Sequence, residues 1–343
     1  MSKSLLIAAQ RARFVSFLLL ALLLGQAVAA RASELLVTKD FADVAKAVEG
    51  YVAKFGAEHV LLVLDIDNTI MSMDTDLGSD HWFEWQSYLL GNEKDSPHLV
   101  AKDFPGLLEV QGILFDRGKM HPTQPEEPAL IAKLQKLGVS TLVLTSRGLD
   151  YKDQTQRELA RCGYDFKASA LPVKDLPAGP FLPYDPAKPE ESGLSAEDLE
   201  KYKPVPPRPS LYVDGVFMTA GQHKGLMLLT MRKKSLRDIK AVVYLDDNVR
   251  HVGSVFSAAV AHGLETTVFQ FQHDETRVQR FQYSDKADMD AEWAAIKNGG
   301  KAVAAAKPQG EKPSLQAESS TAEPSDCREC IPKRRLRILH LCR

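Results

Sequence analysis

Between residues 41 and 297, apolar runs and amphipathic stretches alternate, and the alternation predicts most of the elements. Phe41, Val44, Val48, Tyr51, Val52 and Phe55 recur at helical spacing, and Gly56 supplies a stop. Residues 59–65 carry an unbroken apolar run, Val60–Leu64, that ends in an acid, which predicts a buried strand. A helix over 129–137 is closed by Gly138, and VSTLVLT at 139–145 is a second buried strand. Residues 150–162 read as a helix, and residues 210–219 as a hairpin turning on Asp214-Gly215. A helix over 224–240 leads to AVVYLDD at 241–247, the third buried strand. The pattern closes with a helix over 249–262, the strand ETTVFQF at 265–271 and a helix over 287–297.

Two stretches break the rhythm. Residues 71–126 are mixed and contain GSDHWFEW, long enough for a small helical lid. Residues 171–209 are rich in proline and predict a loop along the rim rather than a packed layer. Apolar strands alternating with amphipathic helices predict an α/β fold, a doubly wound and mainly parallel sheet covered on both faces. In such sheets a ligand sits beyond the carboxyl ends of the strands.

The two ends of the chain change the picture. Lys3, Arg11 and Arg13 precede the apolar run Phe14–Leu24, and Ala27-Val28-Ala29 follows with small residues. This is the pattern of a cleaved export signal over residues 1–29, too short for a comfortable permanent span. The mature protein is expected outside the cytoplasm, periplasmic or secreted, with no lasting membrane span. Cleavage takes three positive charges and no negative ones, moving the formal net charge from −2 to about −5. That balance implies no nucleic-acid partner. Of the four cysteines, Cys327, Cys330 and Cys342 lie near the carboxyl end, so a disulfide-built core is excluded. CREC at 327–330 with His340 and Cys342 fits no common zinc spacing. Residues 298–343 read as a disordered tail outside an α/β domain of residues 30–297.

Four polar clusters carry the candidate chemistry. Asp65 and Asp67, in DIDNT, follow the first buried strand. Thr145, Ser146 and Arg147, in TSRG, follow the second, where hydroxyls and turn amides suit phosphate oxygens. Lys224, in GQHKG, starts a helix at the unfavourable end of its dipole, where an anion or carboxylates would compensate. Asp246 and Asp247, in YLDDN, end the third strand. Each cluster alone is as well explained by a cap, a turn or a solvated lysine. Adjacent acids at two buried strand ends are reconciled by a hard divalent cation, Mg²⁺ first among them.

Taken together, DIDNT, TSRG, GQHKG and YLDDN resemble the haloacid dehalogenase (HAD) superfamily, over about residues 58–272. DIDNTI with DLGSDHWFEWQ, and later DGVFMTAGQHKG, looks more narrowly like an exported bacterial HAD-like family without an assigned substrate. The resemblance implies a Rossmann-like sheet with a small cap, and a Mg²⁺-dependent phosphatase acting on a small phosphorylated metabolite. Asp65 would be the nucleophile and Asp67 the general acid and base. Thr145, Ser146, Lys224 and Arg147 would hold the substrate. Asp65, Asp67 (through its carbonyl) and Asp246 or Asp247 would hold the metal. A non-catalytic binding protein on the same fold is the main alternative. A metal-dependent glycosyltransferase also uses D-x-D, but it leaves Lys224 and the second acidic pair without a place. Trp82 and Trp85 are expected to pack the first insertion onto the core rather than stack on a substrate.

Overall fold

The computed structural model describes residues 33–299. The export signal expected over 1–29, and nearly all of the expected tail with its cysteine cluster, lie outside the described residues. The described chain builds a seven-stranded sheet in the order β1-β9-β8-β2-β5-β7-β6. The strands are β1 Glu34–Thr38, β2 Val60–Leu64, β5 Ser140–Thr145, β6 Leu211–Val213, β7 Val216–Met218, β8 Ala241–Asp246 and β9 Glu265–Phe271. Every pairing is parallel except the β6–β7 hairpin. A separate antiparallel pair, β3 Met71–Met73 and β4 Met120–Pro122, brackets the first insertion.

All five residues of β2 are buried because both faces of the sheet are covered. Leu62 and Leu64 point into one apolar cluster, with Phe41, Val44, Val48 and Tyr51 of α1 (Phe41–Phe55). Ile131 and Leu134 of α4 (Glu127–Lys136) and Leu159 of α5 (Lys152–Arg161) complete that face. Leu61 and Val63 point the other way, onto α7 (Lys224–Lys234) and α8 (Val249–Ala261). Residues 224–231 are all buried, because the sheet, α8 and the second insertion enclose α7. A third cluster holds α2 (Asp80–Asn92) and α3 (Phe104–Arg117) against α9 (Glu275–Tyr283) and α10 (Ala287–Lys297). Trp82 is buried in that cluster and Trp85 packs against it, as the sequence suggested.

Three differences from the sequence pattern have local causes. The helix at 224 stops at Lys234, because residues 235–240 turn back and the Lys240 amide bonds the His59 carbonyl, entering β8 beside β2. The proline-rich insertion contains a helix, α6 (Ala196–Tyr202), started by a capping box between Ser195 and Asp198. β1 and α9, absent from the periodic reading, add an edge strand and a brace for α2 and α3. Among the described residues, no helix is long and apolar enough to cross a membrane.

Candidate active site

β2 and β8 are neighbours in parallel register, with Leu64 opposite Leu245. The residues that follow, Asp65 and Asp246, therefore emerge side by side at the carboxyl edge of the sheet. The Asp65 amide still bonds the Leu245 carbonyl at 3.0 Å, so the backbone at that acid is fixed by the ladder. A tight turn comes next. The amides of Thr69, Ile70 and Met71 all donate to the Ile66 carbonyl, and Asn68 takes a left-handed φ of 52°. Asparagine tolerates that conformation better than most residues.

The turn also anchors the second acidic pair. Thr69 Oγ1 accepts the Asp247 amide at 3.1 Å, and Asn68 Nδ2 donates to Asp247 Oδ2 at 3.4 Å. The Asn-Thr of DIDNT thus positions residues 247 and 68 against each other across adjacent strands. Asp246 is wholly buried; it accepts from the Tyr244 hydroxyl and, at 2.8 Å, from the Asn248 amide. His251 Nδ1 lies 3.3 Å from Asp246 Oδ2, close enough to attract but not aligned for a hydrogen bond.

Lys224 reaches this edge from the first residue of α7. Its side chain is fully buried, and Nζ donates to Asp65 Oδ1 at 2.5 Å and to Asp246 Oδ2 at 2.6 Å. Gly225 makes the approach possible. A Cβ there would press on the Ser254 carbonyl and stand 2.9 Å from Ala258 Cβ, so α7 lies against α8 at this point. The carboxylates answer the helix-dipole difficulty seen in the sequence.

The charges settle unevenly. Burial pushes Asp65 up to about 6, against the pull of Lys224, and Asp246 adds to the rise. Burial would raise Asp246 too, but Lys224 and His251 hold it well below the usual range. Burial alone would lower the Lys224 pKa; Asp246 and Asp65 outweigh it, keep the ammonium charged and raise the pKa. Asp247 is pushed well up by burial, then by Asp80, Asp246 and Asp65.

Asp65, Asp246 and Asp247 each offer an oxygen, and these oxygens all lie within 4.8 Å of one another. Asp67, at the same edge, is engaged elsewhere. Arg147 grips it with a fork, Nε to Oδ2 at 2.9 Å and Nη2 to Oδ1 at 2.7 Å. Arg147 is itself buried; it donates to Thr155 Oγ1 at 2.9 Å and stacks 4.2 Å above the Phe115 ring. The sequence cast Arg147 as a substrate holder, whereas its guanidinium is committed to Asp67. Thr145 is buried at the end of β5, its hydroxyl accepting the Arg147 amide at 3.2 Å. Ser146 is half-buried beside it.

Residues outside the four motifs also belong to this edge. Asp80, the first residue of α2, is pushed well up by burial, by Glu84 and by the Asp67, Asp65 and Asp246 carboxylates. Glu84, one turn further, accepts from Asn248 Nδ2 at 3.3 Å and lies 3.6 Å from Arg250. Their spacing in GSDHWFEW puts both acids on one face of α2, a signal present in the sequence but masked by the tryptophans. Tyr244 and His251 carried no such signal, since each gains its meaning only where β8 and α8 meet Asp246.

The donors fit a hard divalent cation. The trio is all oxygen, and Lys224 offsets Asp65 and Asp246 while Asp247 faces other acids. Comparison with curated proteins and with solved structures returned no match. A family model described as a protein of unknown function (DUF2608) matches residues 37–303, so the chain belongs to that family.

Proposed function

We propose that the protein is an exported, metal-dependent phosphatase of the HAD type, releasing phosphate from a small phosphomonoester through an aspartyl-phosphate at Asp65. The observation that carries this reading is the meeting of Asp65, Asp246 and Asp247 within 4.8 Å, with Lys224 bridging two of them. In this reading α2 and α3 act as the cap, and Asp80 and Glu84 face the substrate from it.

The chain's own groups divide the work. The approach of Asp65 Oδ to phosphorus forms one P–O bond as the ester P–O bond breaks. Asp67 gives a proton to the departing oxygen, then takes one from the water that cleaves the acyl phosphate. Arg147 locks the Asp67 carboxylate in orientation, and one of its two N–H bonds must yield when Asp67 carries the proton. Lys224 has three ammonium protons; two point at Asp65 and Asp246, and the third is left for a phosphoryl oxygen. Thr145 and Ser146 supply further donors at the end of β5. A divalent cation held by Asp65, Asp246 and Asp247, with the Asp67 carbonyl, would neutralise charge on the phosphoryl group.

A second reading, a binding protein without turnover, draws support from the Arg147 fork, which occupies both oxygens of Asp67. Release of p-nitrophenol from its phosphate, with and without Mg²⁺, separates the two. Turnover that needs Mg²⁺ and disappears in Asp65→Asn supports the phosphatase. Phosphate binding without turnover at any pH from 5 to 9 supports the binder.

A further inference from the structure

Ser72 of β3 and residues near it form a group of polar residues that the proposed reaction leaves unused. Glu127, at the start of α4, is 0% exposed, and neither of its carboxyl oxygens has a hydrogen-bond partner among the described residues. An unpartnered buried carboxyl is costly, and a charged one far more so. Burial pushes Glu127 well up, and the neighbouring Asp274 carboxylate pushes it further. The Gln124 amide offsets part of this without reaching hydrogen-bonding geometry.

Asp274, whose charge Glu127 feels, belongs to a small network of hydroxyl oxygens. Ser72 of β3, 1% exposed, donates its hydroxyl proton to Asp274 Oδ2. Thr123, also buried, lies 3.2 Å from the same Ser72 oxygen and so must be the donor there. The Ser72 proton is thereby turned to Asp274 and the Thr123 proton to Ser72, which leaves a lone pair on the Ser72 oxygen and two on the Thr123 oxygen. Nearby cations are spoken for: Arg277 is bonded to Asp76 and to the Met73 carbonyl, and His273 Nδ1 lies 2.9 Å from the Lys39 carbonyl. The helix N-termini favour both acids, but by less than the cost of burying a bare carboxylate pair.

We infer that Glu127, Asp274, Ser72 and Thr123 form a second cation site, separate from the Asp65 cluster, that takes a hard divalent ion of the calcium type. Two carboxylates and two hydroxyls suit calcium, which accepts oxygen donors in irregular number and geometry. The ion would tie together β3, the β4–α4 connection, the start of α4 and the start of α9. These are the segments that carry the chain from DIDNT into the first insertion and brace that insertion from behind. The site is independent of the phosphatase reading, since it uses none of the same residues.

Calorimetric titration of chelator-stripped protein with CaCl₂ alone tests it. Asp247→Asn disables the Asp65 cluster and isolates the new site. That variant is expected to bind one equivalent of Ca²⁺ and to melt at a higher temperature when Ca²⁺ is added. Adding Glu127→Gln, or separately Asp274→Asn, should weaken that binding at least tenfold and remove the thermal shift. Asp274 is only half-buried, so its variant stands in if Glu127→Gln folds poorly. The inference is overturned if Asp247→Asn binds no Ca²⁺, which leaves Glu127 a protonated acid. It is overturned equally if binding is unchanged by the Glu127 and Asp274 substitutions.

Discussion

Replacing Lys224 with methionine tests the central contact of the candidate site on stability rather than on activity. Methionine keeps most of the buried stem and removes the ammonium that lies 2.5 Å from Asp65 and 2.6 Å from Asp246. Removing one partner of a buried ion pair leaves an uncompensated charge and costs about 3–5 kcal/mol. At 1.4 kcal/mol per tenfold, the folded-to-unfolded ratio should fall by a factor of about 150 to 4,000. Protonation limits the loss. Asp65 already sits near 6, and without Lys224 it rises further, so the folded variant takes up a proton that the unfolded chain, near 3.8, does not hold. Stability gained from a raised carboxyl is present at low pH and lost as pH rises through the folded value. The deficit of Lys224→Met should therefore be larger at pH 8 than at pH 5.5. Urea unfolding followed by circular dichroism, in chelator, measures it. A deficit under 1 kcal/mol at pH 8 would mean that the contact behaves as a solvated surface pair, and the reasoning from burial fails. The double variant with Asp246→Asn should recover part of the loss, because it removes one of the stranded charges.

Other changes probe the same architecture. Gly225→Ala should cost about 1–3 kcal/mol and abolish turnover, because the added methyl drives α7 from α8 and carries Lys224 with it; thermal melting and the nitrophenyl assay report both. Arg147→Lys should lower kcat while leaving KM within about twofold, because the fork holds Asp67 rather than substrate; a rise in KM alone would return Arg147 to substrate binding. Glu127→Gln, in chelator, should flatten the pH dependence of stability between pH 5 and 8. The native glutamate keeps its proton above the 4.5 of a free side chain, so wild-type stability falls with rising pH by up to about 1.4 kcal/mol per unit; equal slopes would count against that.

Much of the sheet was legible in the sequence because it is buried on both faces. β2, β5, β8 and β9 need no alternation and stand out as apolar runs, each within about a residue of its structural bounds. β1 escaped because it is an edge strand whose Leu35, Leu36 and Val37 stay exposed, so no periodic pattern marks it. α6 was hidden by the surrounding prolines, although Ser195 and Asp198 form a readable capping box. The meeting of Asp65, Asp246 and Lys224 could be anticipated, since strand-end acids in a parallel sheet share one edge. The grip of Arg147 on Asp67 could not, because it depends on Phe115 and Thr155 from two other helices. The shared face of Asp80 and Glu84 was readable from their spacing, but its place beside the acidic edge was not until α2 had been placed.

The pairing of Leu64 with Leu245 has a consequence for how such a chain can change over time. Sliding β8 by a single residue would turn the Asp246 side chain to the opposite face of the sheet while leaving every strand intact. The meeting of the acids is thus tied to strand alignment, and one inserted residue within 60–64 or 241–245 would undo it. Lengthening the chain at 71–126 or 171–209 leaves that alignment alone. Under the proposed function, selectivity for a guest molecule would be rewritten in those two stretches while the acidic edge is inherited unaltered.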